Sequence, residues 1–467
     1  MMTVNFRAEV DKRKDEFMAD LFDILRINSE RDDSLADANH PFGPGPVHAL
    51  HAFLKMAERD GYSTQNVDNY AGHFEFGKGD EVLGIFGHLD VVPAGSGWDT
   101  NPYEPQIIDG KLFARGSSDD KGPTMACYYG LKIIKELGLP ISKKVRFIVG
   151  TDEESGWADM DYYFEHVGLP LPDFGFSPDA EFPIINGEKG NITAYLHFSG
   201  ANAGSARLHS FTGGLRENMV PESATAVISG ELSDFDDKLA SFTSKYDLVA
   251  STEALENGKL QVTMIGKSAH GSTPEEGING ATYLAKFLQI FDFEGAAKDY
   301  LTLAGDVIWE DHEAEKLGVA IEDEQMGSLS MNAGVFQFDE TSSDNTIALN
   351  FRYPKNTSPE SIKIGLETLP VESVSLSDQG HTPHYCPMDD PMVTTLLSVY
   401  EKHTGLKGHE QVIGGGTFGR LLKRGVAYGA MFPGDVNTMH QANEFIEVEG
   451  LYRAAAIYAE AIYELIK

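Results

Sequence analysis

The chain has 467 residues, 41% of them hydrophobic, which is enough to bury a large core and to form roughly two or three domains. Its 72 acidic and 37 basic residues give a formal net charge of −35, which repels phosphate backbones and anionic membrane surfaces. This charge argues against nucleic-acid and membrane partners.

Three further features indicate a cytoplasmic protein. No run of about 18 apolar residues predicts a membrane span. The charged N-terminus MMTVNFRAEVDKRKDEFMADLFDILRI predicts an amphipathic helix and not a signal peptide. Cys127 and Cys386 lack CxxC spacing, so we expect two free, buried thiols in a reducing compartment.

Helices alternate with short apolar strands in the first part of the chain, up to about residue 188. The predicted elements are the strand VLGIF, the helix TMACYYGLKIIKELG and the strands KKVRFIVG and DFGFS. Strands rich in β-branched and aromatic residues, separated by helices of this length, are typical of an α/β domain with a mostly parallel sheet.

The pattern changes between residues 189 and 380. The strands ITAYLHF, TAVISGEL, LQVTMIG and TIALNFRYP alternate more clearly and are joined by turns, and GATYLAKFLQIFDF is a predicted helix. After this α+β region the first pattern returns, with the helix VTTLLSVYEKHTG, the strand GVAYGAMF and a final helix over residues 448–467. We therefore predict that residues 1–188 and 381–467 form one domain, which is interrupted by a second.

Potential metal ligands recur directly after apolar strands of the α/β regions. They are His88, Asp119, Asp120, Glu153, Glu154, Asp179 and His440. Because the carboxyl ends of parallel strands face one crevice, five separate loops could converge there. Histidines and carboxylates suit Zn²⁺ or Mn²⁺, and their number suggests two ions that share a bridging carboxylate.

Each of these signals is weak when it stands alone. A histidine after a strand is more often a core or surface residue, the DEE run is typical of a solvated turn, and Asp120 is a good helix cap. The prediction depends on the combination, because five strand ends with suitable chemistry are improbable by chance.

Five segments carry a resemblance to a known family. They are GHLDVVPAG, RGSSDDKGP, TDEESG, SPDAEFP and MHQANE. In this order they resemble the signature segments of the di-zinc metallopeptidase family that includes aminoacylase and carnosinase, and most of all its bacterial dipeptidases. The resemblance covers essentially the whole chain.

The resemblance implies a ligand set for two Zn²⁺ ions, with Mn²⁺ or Co²⁺ as substitutes. Asp119 would bridge the ions, His88 and Asp179 would complete one site, and Glu154 and His440 the other. The resulting cluster is electrically neutral, because the charges of three ligand carboxylates and a bridging hydroxide balance those of two dications.

The resemblance also implies catalytic roles. Glu153 would be the general base, and Asp90 would hold the ring of His88. The family further implies a cis peptide bond between Asp119 and Asp120.

In the inserted domain, which the resemblance identifies as a lid of two subdomains, further polar residues are candidates for substrate binding. His270 and Asn218 would contact the oxyanion, and Arg352 would contact the substrate carboxylate. Backbone N–H groups at Gly416, beside Thr417, could form an anion nest. The alternative to the anion nest is a flexible glycine turn, and the alternative role of Arg352 is a surface salt bridge.

These features predict a metal-dependent dipeptidase for unblocked dipeptides, including β-alanyl dipeptides such as carnosine. The lid is long enough for two subdomains. The resemblance implies that the second one takes the place of a partner subunit, so that the chain works as a monomer, and extra length on a dimer is the alternative. Two other functions stay open, an N-acyl amino-acid deacylase on the same two-metal core and a catalytically silent metal-binding scaffold. An intact Glu153 argues against the scaffold.

Overall fold

The computed structural model of the protein describes residues 4–200 and 202–467. The chain divides into two compact units. Unit 1 comprises the chain up to Gly187 together with Tyr385–Gln411 and Gly416–Lys467, and unit 2 comprises Glu188–His384 and Val412–Gly415. The chain passes between them through the short strands Gly187–Glu188, His384–Tyr385 and Val412–Ile413.

Unit 1 is built on a six-stranded sheet. In spatial order its strands are Ser63–Val67, Ala71–Gly77, Lys144–Gly150, Val82–His88, Phe174–Ser177 and Gly425–Ala427. The last four strands run parallel to one another, and the first two pair antiparallel at one edge. The parallel strands are almost entirely buried, as their continuous apolar sequences predict.

The helices of unit 1 pack around this sheet. They are Phe6–Asp11, Lys14–Leu25, Pro44–Arg59, Lys121–Glu136, Ala158–Asp161, Pro391–Thr404 and Val448–Ile466. Six of these helices form one hydrophobic core with the sheet, and Ala158–Asp161 contributes Met160 to a smaller cluster with Phe86 and Ile148. The predicted N-terminal helix is divided in two at Lys12 and Arg13, and its first three residues lie outside the described part of the chain.

Short strands complete unit 1. Gln106–Ile108, Lys111–Phe113 and Phe445–Glu447 form one small sheet, and Ala180–Glu181 pairs with Ala430–Met431. The single strand predicted over residues 425–432 is therefore two strands. Gly429, with a φ of +77°, separates them because the backbone turns there.

Unit 2 is built on an eight-stranded sheet in which every pair is antiparallel. In spatial order its strands are Val249–Ala254, Leu260–Ile265, Ser223–Gly230, Ala206–Gly213, Ser330–Asp339, Asn345–Tyr353, Gly190–Phe198 and Ser373–His381. Alternation of buried and partly exposed residues in Ser223–Gly230 matches a sheet with one covered face.

Four helices contribute to the second hydrophobic core, which lies against this sheet. They are Phe235–Tyr246, Gly280–Leu288, Ala296–Thr302 and Pro359–Leu366. The helix predicted over residues 280–293 ends at Leu288. Phe291 still packs into the core, and Phe293 begins the short strand Phe293–Gly295, which pairs with Asn202–Gly204.

The predicted fold class, an α/β domain with a mostly parallel sheet interrupted by an α+β region, is confirmed. Cys127 and Cys386 are free and buried, as expected. Within the described residues, none of the helices combines the length and apolar character that crossing a membrane requires. The domain boundaries at residues 188 and 380, and the two subdomains of the lid, stay predictions.

Candidate metal centre

The ends of three adjacent parallel strands in unit 1 supply most of the candidate ligands. His88 is the last residue of Val82–His88, Asp179 follows Phe174–Ser177, and Glu154 follows Lys144–Gly150. Asp119 lies just before the helix Lys121–Glu136, and its peptide bond to Asp120 is cis, as the resemblance implies. The parallel topology explains why these side chains, far apart in sequence, reach one place.

A first group of ligand atoms surrounds His88, whose side chain is 1% exposed. Its Nε2 lies 3.0 Å from Asp119 Oδ1 and 3.7 Å from Asp179 Oδ2. Nδ1 lies 3.0 Å from the backbone carbonyl oxygen of Asp90, which can only accept, so Nδ1 carries a proton. A neutral His88 therefore presents the lone pair of Nε2 to the two carboxylates, as a metal ligand requires.

A second group surrounds His440. Its Nε2 lies 2.9 Å from Asp119 Oδ2 and 3.0 Å from Glu154 Oε2. His440 has a φ of +62°, a left-handed conformation that costs an L-residue roughly 1–2 kcal/mol. In each group the ligand atoms lie within 4.8 Å of one another, and the two groups share Asp119.

The carboxylates of the centre are crowded. Burial, and next the charge of Asp179, raises the pKa of Glu153 well above its usual value. Burial and the charge of Asp119 act in the same way on the pKa values of Asp179 and Glu154. Burial also acts to raise the pKa of Asp119. When His440 and His88 are both protonated, their hydrogen bonds to Asp119 outweigh its burial and hold that pKa far below its usual range. The centre thus concentrates negative charge that cations would compensate.

These residues fit a pair of divalent cations. Oε1 of Glu153 and Oε1 of Glu154 are buried without a hydrogen-bond partner among the described residues. Buried carboxylate oxygens are normally satisfied, so such atoms in a cluster with histidine nitrogens mark a place for a cation or a water molecule. Because Asp119 offers one oxygen to each group, it has the geometry of a bridging ligand.

Asp90 contacts two parts of the centre. Its carboxylate Oδ1 lies 3.4 Å from His88 Nδ1, farther than its backbone oxygen at 3.0 Å. The two carboxylate oxygens accept hydrogen bonds from the backbone N–H groups of Glu153 and Glu154, at 3.2 and 3.1 Å. Asp90 therefore holds the loop that carries Glu153 as well as the ring of His88.

Thr417 also lies in unit 1, and it is 4% exposed. Its hydroxyl accepts a hydrogen bond from the N–H of Gly419 at 3.1 Å and caps the short helix Phe418–Leu421. This contact explains the threonine structurally. The assignment of Gly416 and Thr417 to substrate binding stays a prediction.

The remaining predicted residues, His270, Asn218 and Arg352, lie in unit 2. Ser272 donates its backbone N–H to Nδ1 of His270 at 3.2 Å, and its hydroxyl lies 2.6 Å from the same nitrogen. A backbone N–H can only donate, so Nδ1 is an acceptor, and a neutral His270 carries its proton on Nε2. The ring is therefore prepared to donate a hydrogen bond from Nε2.

Asn218 and His270 are held on neighbouring segments. The N–H of Gly271 donates to the carbonyl oxygen of Asn218 at 2.7 Å. A Cβ at Gly271 would lie only 2.8 Å from the backbone of Asn218, so this approach requires glycine. Asn332, which is buried, donates from Nδ2 to the carbonyl oxygens of Glu217 and Met219 and fixes the loop on both sides of Asn218.

Arg352 is buried and oriented by two acceptors in unit 2. Its Nε donates to Asn350 Oδ1 at 3.1 Å, and Nη1 donates to the carbonyl oxygen of Gly414 at 2.8 Å. Ser330, its register partner on the next strand, donates to the carbonyl oxygen of Ser272 at 3.4 Å. Unit 2 therefore connects the segments of Arg352 and His270, and the surface salt-bridge alternative does not describe this buried residue.

Sequence reasoning missed several supporting residues. They are Glu444, Asn332 and Asn350. Glu444 ends the quoted segment MHQANE, so its place beside an apolar strand was a usable signal. Asp120, a candidate ligand in sequence, instead accepts hydrogen bonds from the N–H of His88 and the hydroxyl of Thr124.

Comparison with known proteins identifies the family of the chain. The chain matches peptidase family M20/M25/M40 over residues 84–464. A Beta-Ala-Xaa dipeptidase of Lactobacillus delbrueckii subsp. lactis is 43% identical over 470 residues, which cover 100% of this chain and 99% of the relative.

Solved structures resemble the chain in fold. Human carnosine dipeptidase 1 has a TM-score of 0.57 at 16% identity, with 98% of each chain covered. The di-peptidase Dug1p of Saccharomyces cerevisiae has a TM-score of 0.57 at 12% identity, again with 98% of each chain covered. The match to the family and the identity to the Lactobacillus relative show that the chain belongs to peptidase family M20/M25/M40. Together with the two groups of metal-binding side chains, they show that it is a metal-dependent hydrolase of peptide bonds.

Proposed function

We propose that this protein hydrolyses unblocked dipeptides at a pair of Zn²⁺ ions, and that β-alanyl dipeptides such as carnosine are among its substrates. The Lactobacillus relative is named a Beta-Ala-Xaa dipeptidase, and its sequence aligns with this chain over the full length of both proteins. This similarity supports the proposed substrate class.

One observation carries the proposal. Asp119 offers one oxygen to each of two ligand groups, and next to them Glu153 has a buried oxygen without a partner. A scaffold that only bound metal would have no use for this additional carboxylate.

The residues of unit 1 define the chemistry that we propose. His88, Asp179 and Asp119 would hold one ion, and Glu154, His440 and Asp119 the other. Zn²⁺ ions held there would supply a water of lowered pKa and a Lewis acid for the carbonyl of the scissile bond. Glu153 accepts the proton of that water as it attacks and passes the proton to the departing amine. Asp90 keeps Glu153 in place through the backbone of its loop.

The roles that we propose for unit 2 concern the substrate. His270 would donate from Nε2 to the oxyanion, with Asn218 as a second donor. Arg352 would bind the substrate carboxylate, a pairing that its planar guanidinium favours, and Gly416 and Thr417 would assist.

Hydrolysis of a small panel by the purified chain tests the proposal. The panel contains β-Ala-His, two α-dipeptides, their N-acetylated forms and N-acetyl amino acids. We expect rapid cleavage of the unblocked dipeptides alone. Preference for N-acetyl amino acids would identify a deacylase, and no cleavage of any compound would identify a scaffold.

The metal dependence of activity and the identity of the metal are tested by exhaustive dialysis against a chelator, followed by addition of Zn²⁺, Mn²⁺ or Co²⁺. Dialysis should abolish activity and lower the melting temperature, because bound metal stabilises only the folded state. Zn²⁺ should restore activity at two equivalents per chain, and full activity in protein shown to be metal-free would contradict the proposal.

We also propose a monomeric, cytoplasmic enzyme. If each chain uses its own His270, a mixture of inactive Glu153→Ala and inactive His270→Ala protein should stay inactive. Recovery of activity on mixing would mean that subunits share their sites. Fractionation of the source cells tests the location.

A further inference from the structure

Glu444 lies four residues after the ligand His440 and is fully buried in unit 1. Its carboxylate accepts four hydrogen bonds, all from one stretch of chain that ends at Asp119. The donors are Arg115 Nη1 at 2.7 Å, Gly116 N at 3.1 Å, Ser118 N at 2.8 Å and Asp119 N at 3.2 Å. None of these contacts is explained by the chemistry assigned above.

The two oxygens of the carboxylate have separate partners. Oε2 accepts from Arg115 and Gly116, and Oε1 accepts from Ser118 and Asp119. Three backbone N–H groups can converge on one anion because Gly116 has a φ of +86°, which turns the chain around the carboxylate. The backbone oxygen of Glu444 also accepts from the N–H of Ala114 at 3.2 Å.

This arrangement joins the two segments that supply His440 and Asp119. Asp119 is the ligand common to both groups, and its side-chain oxygens lie 3.0 Å from His88 Nε2 and 2.9 Å from His440 Nε2. Its backbone N–H is the last donor in the set that Glu444 holds. A shift of this N–H would move the oxygens of both metal positions together.

We propose that Glu444 is a positioning residue, which fixes the segment of Asp119 to the segment of His440 before metal binds and so assembles both metal positions at once. This inference rests on the proposed metal-dependent function. It predicts that Glu444 acts on metal affinity through Asp119, although it is itself no ligand.

The substitution Glu444→Gln tests the proposal. Glutamine keeps the size of the side chain, but its NH₂ group would face N–H donors and leave one pair of them without an acceptor. We expect metal to bind about 10- to 100-fold more weakly at both positions, the range typical of residues that orient ligands. Competition between the protein and a chromogenic chelator for Zn²⁺ measures the affinity, and the visible absorption of bound Co²⁺ reports the ligand geometry.

A matched control is available in the same unit. Glu460 is also a buried glutamate, and it accepts from His403 at 2.7 Å and from Lys402, away from the centre. Glu460→Gln should lower thermal stability but leave metal affinity within about twofold. Unchanged affinity in Glu444→Gln, or an equal loss in both variants, would overturn the proposal.

Hydrogen exchange of the unsubstituted protein gives a test that needs no variant to fold. If Glu444 assembles the segment in advance, the amides of Gly116, Ser118 and Asp119 exchange slowly in metal-free protein and change little when Zn²⁺ is added. Fast exchange without metal would contradict the proposal. Metal affinity and hydrogen exchange are both measured without turnover. A protein that binds metal in this way but cleaves no dipeptide would therefore refute the proposed function and leave the role of Glu444 intact.

Discussion

The two units of this protein place their candidate residues by different means. In unit 1 three of the five candidate ligands, His88, Glu154 and Asp179, lie at or just after the ends of adjacent parallel strands, so the sheet itself brings them together. In unit 2 all strand pairs are antiparallel, and His270 and Asn218 lie on loops outside the strands of the sheet. Contacts within and between these loops, through Gly271 and Ser272, and a hydrogen bond from Asn332 in a strand beneath the loop of Asn218 hold them there.

This difference has a consequence for substitutions. A ligand of unit 1 contributes its own charge to a crowded centre, so its removal should change the chemistry directly. A supporting residue of unit 2 acts by shaping a loop, so its removal should have a smaller and more selective effect. The following predictions test this contrast, from the largest expected effect to the smallest.

Asp119→Ala should have the largest effect. Because both ligand groups use this side chain, the variant should lose metal from both positions, and activity should fall by at least about a thousandfold. Metal analysis after gel filtration and an assay with an unblocked dipeptide measure the two effects. Asp390→Ala is the control, since Asp390 caps a helix in the same unit and should affect stability alone. An Asp119 variant that keeps two ions would refute the bridging role.

Glu153→Gln should separate catalysis from metal binding. The side chain has no ligand role in either group, so the variant should keep both metals, while kcat falls about 10²- to 10⁴-fold from loss of the proton acceptor. The exposed Glu165→Gln should retain full activity. Loss of metal from Glu153→Gln, or an unchanged kcat, would show that Glu153 does not have the role of general base.

Much of unit 1 could be predicted from the sequence because its site follows from local patterns. Buried strands have recognisable apolar sequences, and a ligand such as His88 comes directly after one of them. The parallel order then requires that these ends meet. The position of Glu444 at the end of MHQANE was a usable signal, but its role was missed because it depends on N–H groups that are distant in sequence.

The supports of unit 2 were harder to predict. Asn332 and Asn350 occur in ordinary apolar strands, where a buried asparagine has many structural explanations. The role of Asn332 depends on which loop passes over its strand, and antiparallel register alone does not determine that. Asn350 instead contacts Arg352, two residues on in its own strand, and its register partner Thr193. The resemblance to a family supplied His270, Asn218 and Arg352, whereas periodicity did not.

His73 should make the stability of unit 1 depend on pH. Burial, and next the charge of Arg146, lowers the pKa of His73 to about 4. The unfolded chain binds a proton near pH 6.5 and the folded chain only near pH 4. The contribution of His73 is therefore complete above pH 6.5 and is lost as the pH falls toward 4, by about 2 kcal/mol. The difference in unfolding free energy between the protein and His73→Gln, measured from pH 7 to pH 4.5, should shrink accordingly. A difference in unfolding free energy that stays the same over this pH range would contradict the lowered pKa of His73.

Asn332→Ala should have the smallest and most selective effect. Loss of the side chain leaves the carbonyl oxygens of Glu217 and Met219 without their donor, so the loop on both sides of Asn218 becomes free to move. Because Asn218 is the proposed oxyanion donor, we expect kcat/KM to fall about tenfold, which corresponds to about 1.4 kcal/mol of transition-state stabilisation. Metal content should not change, since both groups of candidate ligands found among the described residues lie in unit 1. Asn345→Ala is the matched control, because Asn345 is equally buried in the same sheet but bonds to the N–H of Asp339 instead. Kinetics and metal analysis of both variants decide the question: equal loss of activity in the two would show that unit 2 responds to general destabilisation and not to the position of its loop.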